Sequence, residues 1–172
     1  MDDKNNSKYS RSPEIEDLVA VCRWLNEQNA QYILIGGFAV ILHGGIRGTK
    51  DIDLLVEASE DNIKKIKKAL SHLPDNAIAL IQDNEVEQFT VVRVADEIVI
   101  DLMAKACGID YEAAKGEVQF AEVKGVRIPV AKKEMLIKMK KTFRPSDKAD
   151  VNCLIDLIES EKAEKNKKDI TH

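Results

Sequence analysis

The chain has 172 residues, 44% hydrophobic and 33% charged, with a formal net charge of -4. That length suits one domain with a core of its own, the apolar fraction excludes a mostly disordered chain, and the charge balance argues against a general polyanion binder. Cys22, Cys107 and Cys153 stand far apart in apolar contexts, which excludes a zinc ribbon or disulfide framework and suits a reducing compartment.

Residues 1–12 are polar, lack the basic start and apolar middle of a signal peptide, and read as a flexible segment. A helix is expected over 13–26, with Ser12 as its cap and Pro13 in its first turn. Ile15, Leu18, Val19, Cys22 and Leu25 fall at helical spacing along it. Residues 32–35 read as a short buried strand running straight into Gly36-Gly37, and 38–42 as a short helix. The apolar run 32–42 is broken by those glycines and falls well short of the roughly 20 residues that a membrane span needs. A glycine-rich loop over 44–48 leads to a second strand at 51–56.

The helix expected over 61–70 turns Ile63, Ile66 and Leu70 inward and leaves Lys64, Lys65, Lys67 and Lys68 solvated. Segments 87–94 and 98–102 read as a hairpin around Ala95-Asp96-Glu97. A second hairpin joins 118–123 to 126–129 at Lys124-Gly125. Helices over 132–141 and 146–160 follow. The expectation is an α+β domain over 13–160, a mixed β-sheet of about five strands with helices packed on it. It is flanked by the flexible segment 1–12 and a polar C-terminal tail, 161–172. A cytoplasmic protein with no membrane association is expected.

Three features carry chemistry. Gly36-Gly37 sits at a strand-to-helix junction, where glycine permits close backbone approach and a helix start offers free N–H groups to an anion. Alone, such a pair is more often a tight turn, and no Walker lysine follows it. Asp51 and Asp53 are two residues apart on a strand, so both carboxylates project to one side and Ile52 to the other. Two acids so close repel each other and call for a counterion, which hard divalent cations supply; two solvated acids at a strand mouth are the bland alternative. Asp101 is a single charge within Ile98-Val99-Ile100-Asp101-Leu102-Met103 and must be paired with a base or bound to metal. If its strand lies beside that of Asp51 and Asp53, the three acids form a triad.

Gly36-Gly37-Phe38-Ala39, His43-Gly44 and Arg47-Gly48-Thr49-Lys50-Asp51-Ile52-Asp53-Leu54, followed by Asp101, resemble the signature of the nucleotidyltransferase superfamily with the DNA polymerase beta fold. The resemblance is closest to the small AbiEii-type members of toxin–antitoxin and phage-defence systems. It continues through Ile128-Pro129-Val130-Ala131, the segment from Glu134 to Lys140, and Arg144-Pro145-Ser146-Asp147-Lys148-Ala149-Asp150. Many superfamily members carry Gly-Ser where this chain has Gly36-Gly37; the small defence-type relatives commonly carry Gly-Gly.

The resemblance implies a polymerase-beta-like fold and a Mg²⁺- or Mn²⁺-dependent enzyme moving a nucleoside monophosphate from an NTP to a hydroxyl. Gly36 and Gly37 would receive the triphosphate, with Arg47, Thr49 and Lys140 contacting phosphate and Lys138 and Lys141 as alternatives to Lys140. Asp51 and Asp53 would hold both metals, and Asp101 the metal that activates the attacking hydroxyl, with pyrophosphate leaving. The toxin-like relatives imply a tRNA 3′ end, another RNA or a protein side chain as acceptor, and an antitoxin as partner. The alternative is a non-catalytic module of the same fold that binds a nucleotide or a partner. A nuclease using the same acids is disfavoured, having no triphosphate to cradle.

The remaining residues carry blander expectations. Residues 132–148 hold seven Lys/Arg against Glu134 and Asp147, a candidate phosphate- or RNA-facing surface or a solvated helix face. Asp147 and Asp150 are expected to cap the last helix or pair with Arg144 and Lys148. His43 is expected to end the short helix, and Trp24 and Phe89 to belong to the core.

Overall fold

The computed structural model describes residues 10–170. Residues 1–9 of the expected flexible segment, and 171–172 of the expected tail, lie outside the described residues. The first helix, α1 (Ile15–Glu27), buries Leu18, Val19, Val21, Cys22 and Leu25 along one stripe. Its N-cap is Glu14, not Ser12: the Asp17 carboxylate accepts the Glu14 N–H at 2.7 Å, and Arg11 grips Asp17 with two nitrogens at 2.7 and 2.8 Å. β1 (Tyr32–Ile35) is buried throughout and passes directly into α2 (Gly36–Leu42). β2 (Asp51–Val56) follows, then α3 (Glu60–Leu70), capped by the Ser59 hydroxyl accepting the Asn62 N–H.

Residues 77–80 form a 3₁₀ turn and Glu85–Gln88 a single helical turn, α4, which takes up residues 87 and 88 of the expected strand. The first hairpin is β3 (Val92–Ala95) and β4 (Val99–Met103). A small ribbon, β5 (Lys105–Ala106) with β6 (Ile109–Asp110), and the short helix α5 (Tyr111–Ala114) come next. The second hairpin is β7 (Val118–Val123) and β8 (Val126–Ala131). The chain closes with α6 (Lys133–Met139) and α7 (Pro145–Ile170); α7 continues well beyond the expected end at residue 160, through a charged, solvent-exposed stretch.

The main sheet has six strands, one more than expected, in the order β3-β4-β2-β1-β8-β7. β1 runs antiparallel to β2, β2 parallel to β4 and β1 parallel to β8, with a hairpin at each edge. This is the mixed α+β architecture that the order of elements implied. Ile33, Leu34, Ile52, Leu54, Leu55 and Ile100 are buried at the centre, against Leu18 and Leu25 of α1 and Ile63, Ile66 and Leu70 of α3. Each such side chain contributes about 1.5–3 kcal/mol through burial, so the strands that carry the acids are firmly held. Asp96, itself buried, fixes the turn before β4 by accepting the N–H groups of Asp75, Ala77 and Glu97. Among the described residues, no helix is long and apolar enough to cross a membrane.

Candidate functional site

The central pairing of the sheet decides the geometry. β2 and β4 are parallel neighbours, with Asp51 beside Val99 and Asp53 beside Asp101. Residues in register on adjacent strands face the same side, so the condition for a carboxylate triad is met. Asp51, Asp53 and Asp101 each offer an oxygen within 4.8 Å of the others. Asp51 and Asp53 are half-buried and Asp101 is buried, while Ile52 between the first two is fully buried in the core.

Crowding like charges in a partly desolvated place costs free energy. Burial, with Asp51 and Asp101 beside it, pushes the Asp53 carboxyl from 3.8 up to about 7, although the nearby Lys140 ammonium pulls it down. Asp51 is raised for the same reasons, burial first and then Asp101, against the pull of Arg93. An oxygen-only donor set with excess negative charge fits a hard divalent cation such as Mg²⁺ or Mn²⁺.

The sequence reading missed the base that meets Asp101. Arg93 lies opposite it across the β3–β4 ladder. Its Nε donates to Asp101 Oδ1 and its Nη2 to Oδ2, both at 2.9 Å, and Nη2 also reaches Asp51 Oδ2 at 3.4 Å. The Arg93 side chain is 59% exposed, that of Asp101 only 7%.

The glycine pair is built against the acids. Gly36 has φ +68, a left-handed conformation that glycine adopts freely. A Cβ added there would overlap the Asp53 side chain, 2.6 Å from its Cγ and 2.7 Å from its Cβ. At Gly37, an added Cβ would stand 2.8 Å from Thr49 Oγ1, 2.9 Å from Thr49 Cβ and 3.3 Å from Arg47 Cζ. The space that a serine would occupy here is taken by Thr49, a physical reason for Gly-Gly in place of Gly-Ser. The Thr49 hydroxyl donates to the Asp51 carbonyl at 3.0 Å.

Arg47 and Lys140 converge on one acid, Asp150 of α7. Arg47 Nη1 is ion-paired with Asp150 Oδ2, and Lys140 Nζ donates to the same oxygen at 2.9 Å. Lys140 is buried and also lies 3.8 Å from Asp147, whereas Lys138 and Lys141 are exposed. Asp147 pairs with Arg144, one of the expected partners, and also accepts the Thr142 hydroxyl. Asp150 does not pair with Arg144 or Lys148; its partners come from the loop after α2 and the end of α6.

The basic stretch and Phe89 depart from expectation, whereas Trp24 and His43 follow it. Lys132, Lys133, Lys140 and Arg144 of the basic stretch are held in ion pairs with Glu117, Glu161, Asp150 and Asp147, which neutralises much of that surface. Phe89 is 58% exposed and not core, because its segment leaves the sheet; Trp24 packs on the core and stacks on His72. His43 ends α2 with its Nε2 2.8 Å from the Ala131 carbonyl, a structural role. Two surface cavities, of about 460 and 260 Å³, are lined by none of the acids or glycines above.

Two solved structures share the fold. One is an antigenic nucleotidyltransferase-like protein from Paracoccidioides brasiliensis, 17% identical over 87% of this chain and 78% of its own, with a TM-score of 0.51. The other is the lincosamide antibiotic adenylyltransferase LnuA in its lincomycin-bound form, 16% identical over 86% of this chain and 99% of its own, also at 0.51. Comparison with curated protein sequences gives no match. Residues 16–169 match the family described as nucleotidyltransferase of unknown function, DUF6036, and with a six-stranded sheet of the fold these structures share, the chain belongs to that nucleotidyltransferase family.

Proposed function

We propose that this protein transfers a nucleoside monophosphate from an NTP to a hydroxyl acceptor, with Asp51, Asp53 and Asp101 as its metal-binding carboxylates. The observation that carries the reading is the β2–β4 register, which sets Asp53 beside Asp101, with the side-chain-free Gly36 packed against Asp53. A pair of Mg²⁺ or Mn²⁺ ions held by these carboxylates would neutralise charge at the α-phosphate and lower the pKa of the attacking hydroxyl. The acceptor oxygen bonds to the α-phosphorus in line with the departing pyrophosphate, and the hydroxyl proton is lost to solvent or a carboxylate.

The other roles follow from chemistry already described. The Gly36-Gly37 backbone admits the triphosphate closely. Arg47, a planar fork suited to phosphate oxygens, and Lys140 act as phosphate clamps, and Asp150 keeps both pointing the same way. Thr49, filling the space beside Gly37, would turn its hydroxyl from the Asp51 carbonyl to donate to phosphate. The acceptor in a toxin–antitoxin or defence setting would be an RNA 3′ hydroxyl, such as that of tRNA, or a protein side chain.

The test is incubation of the purified protein with each α-labelled NTP, Mg²⁺ and total cellular RNA, beside Asp53→Ala. Label on RNA or protein that disappears in the variant supports the transferase and identifies the acceptor class. NTP binding with no transferred label would favour the non-catalytic module.

A further inference from the structure

We propose that Arg93 is the resident cation of the carboxylate triad, neutralising Asp101 and Asp51 until a divalent ion displaces it. The inference rests on reading the triad as a cation site and goes beyond it, because no role in nucleotidyl transfer assigned above uses Arg93. Three features support displacement. The guanidinium occupies both oxygens of Asp101 and touches Asp51, two of the three carboxylates that a cation would need. A unit positive charge fixed against those oxygens repels any cation bound between them. The Arg93 side chain is more than half exposed, so its head group can leave for solvent at little packing cost, and a divalent ion arriving at the triad replaces the charge withdrawn from the buried Asp101.

The guanidinium fork that matches a carboxylate also matches phosphate. A triphosphate arriving at the same face gives the released Arg93 a new anionic partner. Cation and nucleotide therefore bind with positive coupling, and the protein alone takes up divalent ions poorly. Arg93 is a positioning residue in this scheme: it acts on cation occupancy through Asp101 and Asp51.

The experiment titrates Mn²⁺ into the full chain, free Mn²⁺ being followed by electron paramagnetic resonance, with and without a non-hydrolysable NTP analogue. Removing a unit charge next to the site is expected to tighten Mn²⁺ binding about tenfold in Arg93→Gln without nucleotide, with Arg93→Lys close to wild type. The analogue should raise Mn²⁺ affinity more in wild type than in Arg93→Gln. In EDTA, Arg93→Gln should melt below wild type, and saturating Mn²⁺ should close that gap. Mn²⁺ binding by Arg93→Gln equal to or weaker than wild type, while Asp101→Asn abolishes it in both, overturns the role of Arg93 alone. Mn²⁺ uptake indifferent to Asp101→Asn overturns the cation reading of the triad itself.

Discussion

Gly36→Ala is a one-carbon change aimed at the junction between the glycine turn and the acids. At φ +68 an alanine is strained by about 1 kcal/mol. Its Cβ would also overlap the Asp53 side chain, whose Cβ is anchored on a buried strand and cannot simply swing away. Overpacking of that kind adds about 1–3 kcal/mol, for a total of about 2–4 kcal/mol. In a domain of this size that lowers the melting temperature by roughly 5–15 °C. The assay is thermal unfolding in EDTA beside Gly48→Ala, a glycine whose added Cβ meets nothing within 4 Å. Displacing Asp53 should also weaken Mn²⁺ binding and label transfer, which Gly48→Ala should spare. If Gly36→Ala melts with Gly48→Ala and keeps full Mn²⁺ affinity, the close packing of turn and triad is not what holds the site.

Asp53, pushed to about 7 in the fold against an ordinary 3.8, binds a proton more tightly folded than unfolded, so its stabilising share is full below about pH 4 and lost as pH rises to about 7. In EDTA, Asp53→Asn should therefore be more stable than wild type at pH 8, by at most about 4 kcal/mol, an advantage that shrinks toward pH 4 in paired melting curves. Asp150→Asn leaves the buried Lys140 with only the more distant Asp147 carboxylate, 3.8 Å away, and should cost about 3 kcal/mol and weaken NTP binding in calorimetry, while the exposed Asp156→Asn should do neither. Gly37→Ser should destabilise by about 1–3 kcal/mol, and Thr49→Gly in the same chain should recover part of that loss in a double-mutant cycle on melting data.

What the sequence revealed about this site divides by the range of the interaction. Strand alternation alone puts Asp51 and Asp53 on one side, and glycine chemistry alone marks Gly36-Gly37 as a close approach. The Asp101 reading left two outcomes, a base or a metal, and the structure supplies the base. Arg93 was concealed by hairpin register. A three-residue turn over 95–97 would set Val94 against Ile98 and Val91 against Asp101, whereas the observed ladder pairs Ala95 with Val99 and brings Arg93 to Asp101. The buried Asp96, drawing three backbone N–H groups to itself, holds the turn over residues 96–98, one position further along the chain.

The spacing of Asp150 from Arg144 and Lys148 suggests local pairing, whereas its partner Arg47 is 103 residues away. No periodicity reports such a contact. The exposed Phe89 shows the converse limit: an aromatic in an apolar context reads as core until the strand around it becomes a helical turn.

The central claim is tested most directly by following both ends of the triphosphate. NTP labelled at the α- or the γ-phosphate is incubated with the protein, Mg²⁺ and cellular RNA, and with Asp53→Asn in parallel. The account predicts α label on the acceptor and γ label released as pyrophosphate, both lost in the variant. Transfer of the γ label to the acceptor, or α transfer undiminished in Asp53→Asn, would contradict it.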